Sequence, residues 1–495
     1  MIKKILNKNN KTHTIPIKKT EIDFQYLYFL GVGGIGMSGL ARYFNALGKF
    51  VSGYDKTATT LTNELIVEGI DIHFEENINF LSKKYNTPIS QLKSKILIVY
   101  TPAIPIDNKE LIYFKNEGFN IKKRAEVLGM ITKSSYTIGV AGTHGKTTTS
   151  SLIAHILKTA NLDPSAFLGG ITQNYNTNLL LSKKLNKKTN EFNTGKKLKI
   201  NSLVVVEADE YDRSFLSLHP EIAIITSVDA DHLDIYGDKK YMEESYSLFA
   251  SQVNSKLIVN KSIVKNIISA KKAITYSINE KTADYFAQNI KIKNASYHYD
   301  VVTPKGIFKN LNLGLAGLHN VENSVAAIAV ACILKISEQN IRKSLKTFRG
   351  VKRRFDYVIK TKKLIFIDDY AHHPEELKAC INSAKEMYPG KKITGIFQPH
   401  LFSRTRDFSD DFAKSLDLLD ECILMEIYPA RESPIKGVNS KMLLKKMKLV
   451  NKSICQKTNL VNEISERKLD VLLTLGAGDI DTFVVPIKKK LLEKL

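Results

Sequence analysis

The chain has 495 residues, 43% hydrophobic, with a formal net charge of +23; at roughly 150 residues per domain, that length suggests about three domains, each able to bury a core. No apolar run approaches the roughly 20 residues of a membrane span, and the start, Met1-Ile2-Lys3-Lys4-Ile5-Leu6 followed by Asn7-Lys8-Asn9-Asn10-Lys11, lacks the apolar core and cleavage site of a signal peptide. The lysines are diffuse and mixed with asparagine and isoleucine, with no recognised RNA motif, and Cys332, Cys380, Cys422 and Cys455 form no CxxC pair; the expectation is a cytoplasmic protein without a membrane anchor, zinc site, disulfide framework or specific nucleic-acid partner.

Apolar strand-like runs alternate with helical patterns along the whole chain, which predicts parallel α/β domains. The first segment opens with a strand, Tyr26-Leu27-Tyr28-Phe29-Leu30, then Gly31-Val32-Gly33-Gly34-Ile35-Gly36-Met37-Ser38-Gly39 and a helix over Leu40 to Leu47. Gly31, Gly33 and Gly36 make a GxGxxG turn, and Asp55 ends the next strand near the position that reads a ribose. Strand, turn, helix and acid together indicate a diphosphate-binding geometry without saying which nucleotide it takes. Further strands are predicted at Ile70–Phe74 and Ile96–Tyr100, and the segment closes near Lys133.

The second segment begins with the most informative stretch of the chain. Gly142-Thr143-His144-Gly145-Lys146-Thr147-Thr148 lies between an apolar run (Tyr136 to Val140) and a helical pattern (Ser150 to Leu157). Backbone N–H groups of such a turn surround phosphate oxygens, Lys146 reaches the outer phosphates, and Thr147 offers a hydroxyl to Mg²⁺, so the segment predicts ATP binding. Val140 stands where the usual loop has its first glycine, with Gly139 and Gly142 to either side. The strand Leu203-Val204-Val205-Val206 ends in Glu207-Ala208-Asp209-Glu210. A carboxylate after four apolar residues needs a partner; Mg²⁺ beside the loop is one, and capping a following helix is the other. The strand Ile222–Thr226 precedes Asp229, Asp231, His232 and Asp234, where His232 is either a ligand or a solvated imidazole. The Lys183–Asn201 stretch is expected to be a solvated insertion, and Asn320 to Leu334 a helix.

The third segment follows Gly350-Val351-Lys352-Arg353-Arg354, with strands at Leu364–Ile367, Ile393–Phe397, Cys422–Glu426 and Val471–Leu475. Each ends in polar residues, among them Asp368-Asp369-Tyr370-Ala371-His372-His373-Pro374 and Gln398-Pro399-His400. Open α/β sheets place ligands at such strand ends. His372-His373 has no third ligand at zinc spacing. Arg404 and Arg406 near His400 suit a ligand's carboxylate or phosphate, or form a solvated charged turn. The residues alone thus describe an ATP-using enzyme with a second diphosphate site and a third polar cleft. An NAD-dependent oxidoreductase and a nucleic-acid-stimulated ATPase remain open at this level.

These clusters, taken in order, resemble the Mur ligases, which build the peptide of bacterial cell-wall precursors. The resemblance rests on Gly31–Gly39, Ser52-Gly53-Tyr54-Asp55, Arg124-Ala125-Glu126-Val127-Leu128, Thr143–Thr149, Glu207–Glu210, Asp231-His232-Leu233-Asp234, His319-Asn320, Arg353-Arg354-Phe355, Asp368–Pro374, Phe397–His400 and Gly476-Ala477-Gly478-Asp479-Ile480, and covers nearly the whole chain. It implies an α/β fold of three domains, each with a mostly parallel sheet: a Rossmann-like UDP-sugar-binding domain over 1–133, a P-loop ATPase central domain over 134–350, and a Rossmann-like C-terminal domain over 351–495 that closes over the site. Gly31, Gly33, Gly34, Gly36 and Asp55 would take the UDP end of UDP-N-acetylmuramate, not NAD. Gly142 to Thr148 would hold ATP, with Lys146 on the outer phosphates, Thr147 and Glu207 on one Mg²⁺, His232 on a second, and Asn320 at the adenine. Arg354 would lie near the γ-phosphate and Asp369 on the ATP ribose; Tyr370, His372, His400 and Arg404 would hold the incoming amino acid and the reacting carboxylate. Lys146, Glu207, His232, Arg354, His372 and Arg404 would carry the catalysis.

The implied reaction joins L-alanine to the carboxylate of UDP-N-acetylmuramate through an acyl phosphate in peptidoglycan-precursor synthesis, by a monomer or weak homodimer. Met242 to Ser255 has no lysine, as in the alanine-adding branch, whereas sister ligases use a carbamylated lysine there. Leu401 follows His400 where some alanine-adding ligases have arginine. The nearest alternative is the branch that joins the same sugar nucleotide to a preformed tripeptide.

Overall fold

A computed structural model describes residues 24–81, 88–183, 203–229, 238–430 and 432–494. His232, with the rest of 230–237, and all but the first residue of the expected Lys183–Asn201 insertion lie outside the described residues.

Three sheets organise the chain. The first has five parallel strands, β1 (Tyr26–Leu30), β2 (Phe50–Tyr54), β3 (Asp71–His73), β4 (Ile96–Tyr100) and β5 (Asn120–Lys123), in the order β3-β2-β1-β4-β5. The order reverses between β1 and β4, which puts the turn after β1 at the switch point where open sheets bind ligands.

The second sheet contains β6 (Tyr136–Ala141), β7 (Ser165–Thr172), β8 (Thr177–Leu180), β9 (Leu203–Glu207), β10 (Ile222–Ile225), β11 (Lys256–Asn260), β12 (Ile274–Ser277), β13 (Tyr285–Ile292), β14 (Tyr297–Thr303) and β15 (Gly306–Leu313). Its order is β15-β14-β13-β12-β11-β10-β6-β9-β7-β8. Around β6 the pairing is parallel on both sides, and the β7–β8 hairpin is antiparallel. Val204 to Val206 and Ile222 to Ile225 are fully buried, as expected of strands covered on both faces.

The third sheet holds β16 (Asp356–Lys360), β17 (Ile365–Asp369), β18 (Ile393–Phe397), β19 (Glu421–Leu424), β20 (Lys452–Ile454) and β21 (Val471–Leu475), in the order β16-β17-β21-β18-β19-β20. It is parallel apart from the edge strand β16.

The chain divides into two compact units. The first runs to Gln288 and takes in Asp300–Lys309 and Glu322–Thr347; the second comprises Asn289–Tyr299, Asn310–Val321 and the chain from Phe348 on. In the first unit one apolar core joins Leu27, Phe29 and Phe44 to Val204, Phe215 and Phe249, so the first sheet and the centre of the second share packing. The second unit has its own core around Phe366, Ile396, Ile423 and Leu472. No helix among the described residues is long and apolar enough to cross a membrane.

Two helices begin earlier than the sequence suggests, at Ile35 rather than Leu40 and at Lys146 rather than Ser150. In both cases the glycine- and hydroxyl-rich residues that read as loop form the first helical turn. That brings the free N–H groups of the helix start directly to the glycine turn.

Candidate active site

In the first unit β6 runs into Gly142, with φ +132°, and Gly145, with φ +82°, before the helix Lys146–Thr159. An added Cβ would lie 2.0 Å from Thr226 Oγ1 at Gly142 and 2.5 Å from Asn323 Oδ1 at Gly145, so both positions need glycine for conformation and for space. The loop is tied to the end of β10. The Thr143 N–H donates to Ser227 O at 3.2 Å and the His144 N–H to Ser227 Oγ at 2.9 Å. Asp229 N–H donates to Thr143 Oγ1 at 3.1 Å, and His144 Nε2 lies 3.7 Å from Asp229 Oδ2. Of the predicted acidic segment after β10, the structure therefore assigns Asp229 to bracing the loop.

Lys146 folds back over the turn it follows. Its Nζ donates to Gly142 O at 2.6 Å, to Thr143 O at 3.2 Å and to Glu210 Oε1 at 2.8 Å. Burial acts to lower the Lys146 pKa, but Glu210, Glu207 and Asp209 outweigh it and raise it, so the ammonium is secure. Glu210 is buried, and burial pushes its carboxyl upward against the pull of Lys146. Glu207 accepts from Thr147 Oγ1 at 3.0 Å and from the Gly169 N–H at 2.9 Å. Burial raises the Glu207 pKa too, opposed by Lys146 and by these hydrogen bonds. A hydroxyl and a carboxylate held together are hard oxygen donors of the kind Mg²⁺ prefers.

The turn after β1 shows why its glycines are bare. Gly33 N–H donates to Asp55 Oδ2 at 2.8 Å, and a Cβ on Gly33 would lie 2.8 Å from that oxygen and 2.7 Å from Thr62 Cγ2. Asp55, expected to read a ribose, thus spends one oxygen on the turn itself, and the other accepts the Thr57 N–H at 3.1 Å. Gly36 lies under the Arg124 guanidinium, whose Nη2 pairs with Asp209 Oδ2 at 3.1 Å. Gly34 differs from both. It is exposed, caps the helix Ile35–Ala46 with φ −65° and ψ 142°, and has nothing nearer than 3.5 Å to an added Cβ. Gly34→Val should therefore fold with a melting temperature close to wild type, yet lose about tenfold or more in affinity for a diphosphate ligand that approaches the turn closely. Calorimetry with a sugar-nucleotide diphosphate checks this, and unchanged affinity would show that Gly34 does not face such a ligand.

In the second unit the two adjacent arginines do different work. Arg353 Nη2 donates to Gly476 O at 2.6 Å, and its other nitrogens lie 3.3 Å from Asp368 Oδ2 and 3.3 Å from Asp481 Oδ2. Arg353 is thereby committed to holding the strand ends together. Arg354 is more exposed; its guanidinium lies 5.4 Å from the Tyr370 ring centroid and 3.5 Å from Glu376 Oε1. Asp369 accepts the Phe355 N–H at 2.6 Å and the Ala371 N–H at 2.8 Å. Burial nonetheless pushes its carboxyl up to about 6, against Arg354 and those two N–H groups. Asn320 is buried, with Nδ2 donating to Ala316 O at 2.6 Å.

His372 follows β17 and stacks edge-on against Tyr370, with ring centroids 5.2 Å apart, and lies 6.1 Å from the His400 ring. His400 in turn stacks on Tyr428 at 5.7 Å. Arg404 and Arg406 share the short helix Phe402–Asp407, but only Arg404 acts on His372; Arg406 is turned to Asp407 at 2.7 Å. Leu401 precedes that helix at φ 71°, a conformation costly for a branched side chain, and is anchored by its N–H to Tyr428 O at 3.0 Å.

The structure thus gathers Gly142 to Thr148 with Glu207 in the first unit, and Arg354, Asp369, Tyr370 and His372, with His400 and Arg404, in the second. Glu210, Ser227, Asn323 and Glu376 were not singled out from the sequence. Their signal is spatial: Lys146 and Glu210 are 64 positions apart.

Three family models match in succession: Mur ligase family, catalytic domain, over 26–136; Mur ligase middle domain over 140–331; and Mur ligase, glutamate ligase domain, over 353–478. The chain belongs to the Mur ligase family, the ATP-dependent ligases of peptidoglycan-precursor synthesis. It is 49% identical over 471 residues to UDP-N-acetylmuramate–L-alanine ligase of Flavobacterium johnsoniae, covering 95% of this chain and 98% of that one. The crystal structure of UDP-N-acetylmuramate–alanine ligase of Thermotoga maritima superposes with a TM-score of 0.76 at 27% identity, over 95% of this chain and all of that one. A murein peptide ligase of Psychrobacter arcticus shares the fold with a TM-score of 0.66 at 22% identity, over 94% of this chain and 98% of that one.

Proposed function

We propose that the chain joins L-alanine to the lactyl carboxylate of UDP-N-acetylmuramate, using ATP to make an acyl phosphate first. The observation that carries the ATP half is the Gly142–Thr148 loop with Lys146 and Thr147 each hydrogen-bonded to a buried or partly buried carboxylate. The substrate half is supported by the F. johnsoniae relative, which matches end to end at 49% identity.

A carboxylate is a poor acyl donor, and phosphorylation gives it a good leaving group. The alanine amine then attacks, and a tetrahedral intermediate collapses to amide and phosphate. Lys146 neutralises charge that grows on the transferred phosphoryl group, and the loop N–H groups align it. Thr147 and Glu207 are assigned to Mg²⁺, with His232 on a second ion; bound there, Mg²⁺ supplies Lewis-acid neutralisation of phosphate charge. Carried over from the resemblance, Asn320 is assigned to the adenine, Arg354 to the γ-phosphate, Asp369 to the ATP ribose, and Tyr370, His372, His400 and Arg404 to the amino acid and the reacting carboxylate. Residues 1–133 are assigned to the UDP-sugar, 134–350 to ATP and 351–495 to the amino acid.

Phosphate release should need ATP, UDP-N-acetylmuramate and L-alanine together, and omission of any one should reduce it to background. Equal turnover without the sugar nucleotide would sink the ligase assignment, and preference for a tripeptide over L-alanine would move the chain to the recycling branch.

A further inference from the structure

The amino acid that such an enzyme takes arrives with its amine protonated, and an ammonium has no lone pair with which to attack. Something must remove that proton, and the reading above assigns no group to it.

The surroundings of His372 fix the state of its ring. Nδ1 lies 3.0 Å from Tyr370 O. A carbonyl oxygen only accepts, so Nδ1 must carry hydrogen. The same nitrogen lies 3.3 Å from Glu376 Oε2, which also accepts the His372 backbone N–H at 3.0 Å. The hydrogen bond to Tyr370 O leaves the neutral ring with its lone pair on Nε2, for which no hydrogen-bond partner occurs among the described residues. Glu376 sits one helical turn on, in the helix Pro374–Met387, whose first proline fixes where that turn begins. A carbonyl on Nδ1–H, a carboxylate beside it and an open Nε2 form an arrangement in which a histidine, held in one tautomer, serves as a base.

We propose that His372 Nε2 takes the proton from the incoming amino acid's ammonium, and that Glu376 is the positioning residue whose charge beside Nδ1 stabilises the imidazolium, while Tyr370 O holds Nδ1–H. This rests on the ligase reading and adds its missing proton transfer. The N–H bond of the ammonium breaks and its electron pair stays on nitrogen. That pair forms the C–N bond at the acyl-phosphate carbon; as the tetrahedral intermediate collapses, phosphate leaves with the electrons of the C–O bond and takes up the second proton from nitrogen, so the product is the neutral amide. The imidazolium then returns its proton to solvent or to phosphate.

The neighbouring charges suit the task. Burial lowers the His372 pKa, Glu376 opposes this, and Arg404 and Arg354 add to it, so the ring is neutral and able to accept at physiological pH. Tyr370 and His400 complete the facing groups.

Hydroxylamine separates the two halves of the reaction. It is mostly unprotonated at neutral pH and traps an acyl phosphate as hydroxamate without help from a base. The experiment compares alanine amide with hydroxamate, made from ATP and UDP-N-acetylmuramate, in wild type, His372→Asn and Glu376→Gln. His372→Asn should lower the ratio of amide to hydroxamate at neutral pH by about 100-fold or more, and the deficit should shrink as pH rises and more alanine is free amine. Glu376→Gln removes the charge that raises the imidazole pKa, so the acid limb of kcat/KM for alanine should move to lower pH as the plateau falls. An unchanged ratio in His372→Asn would overturn the base assignment, as would a pH-independent deficit. An acid limb that stays in place in Glu376→Gln would overturn the role of Glu376. If wild type makes no hydroxamate at all, it is the ligase reading that fails.

Discussion

Lys146→Ala should lower kcat by about 100-fold or more on the role proposed for the lysine, neutralising charge that builds on the phosphoryl group during transfer. The same substitution should also weaken the fold. Lys146 and Glu210 are both largely buried and lie 2.8 Å apart, and removing one partner of a buried pair leaves an uncompensated charge at a cost of about 3 kcal/mol. Loss of activity in the single variant would therefore have two causes. The double variant Lys146→Ala, Glu210→Gln separates them. With Glu210 neutral and Glu207 still held by the Thr147 hydroxyl and the Gly169 N–H, it should recover most of the lost stability and remain as inactive as the single variant. Thermal melts beside steady-state phosphate release make the comparison. Recovery of activity along with stability would mean that Lys146 only balances Glu210 and takes no part in the chemistry.

The sequence was most legible where physics is local. Strands buried on both faces, such as Val204–Val206 and Ile222–Ile225, are short apolar runs whose β-branched residues and polar flanks favour a strand over a helical segment. The β13–β15 meander was missed because its buried positions, Tyr297, Tyr299 and Val301, alternate with polar residues between lysine- and asparagine-rich turns. The β7–β8 hairpin was hidden by Gly169 and Gly170, which ordinarily break strands. The edge strand β16 begins with Asp356 and ends with Lys360, and reads as a charged linker.

At the site, the glycine turns announced themselves, but the reasons for their glycines did not. Gly33 is bare because Asp55 and Thr62 crowd it from inside the protein, which no spacing rule reveals. Arg353 and Arg354 are chemically identical and adjacent, and both lie over the Tyr370 ring; only their polar contacts separate a residue fixed to Asp368 and Gly476 from one that pairs with Glu376. Glu376 stands four residues after His372, a helical spacing visible in the sequence, yet its significance depends on which ring nitrogen it meets.

Glu207→Gln is expected to abolish most of the activity while sparing the fold, and the reason lies in what each oxygen of Glu207 does. Oε1 accepts the Thr147 hydroxyl and Oε2 the Gly169 N–H, and a Cβ on Gly169 would come within 2.4 Å of either oxygen. The carboxylate is thus pressed against backbone, and burial raises its pKa. A neutral amide of the same shape relieves the burial of charge but turns one acceptor into a donor. Thr147 can rotate its hydroxyl to accept from the new NH₂, whereas the Gly169 N–H cannot reverse, so the amide oxygen will face Gly169 and its NH₂ will face Thr147. The melting temperature should stay within a few degrees of wild type. Thr147 and the former Glu207 oxygen would then no longer offer a hydroxyl and an anion on the same side, so the half-saturating Mg²⁺ concentration should rise at least about tenfold and kcat should fall by about 100-fold. A Mg²⁺ titration of phosphate release, run beside a thermal melt, reads both. An unchanged Mg²⁺ requirement with lost activity would place Glu207 outside the metal site and leave it the task of orienting Thr147.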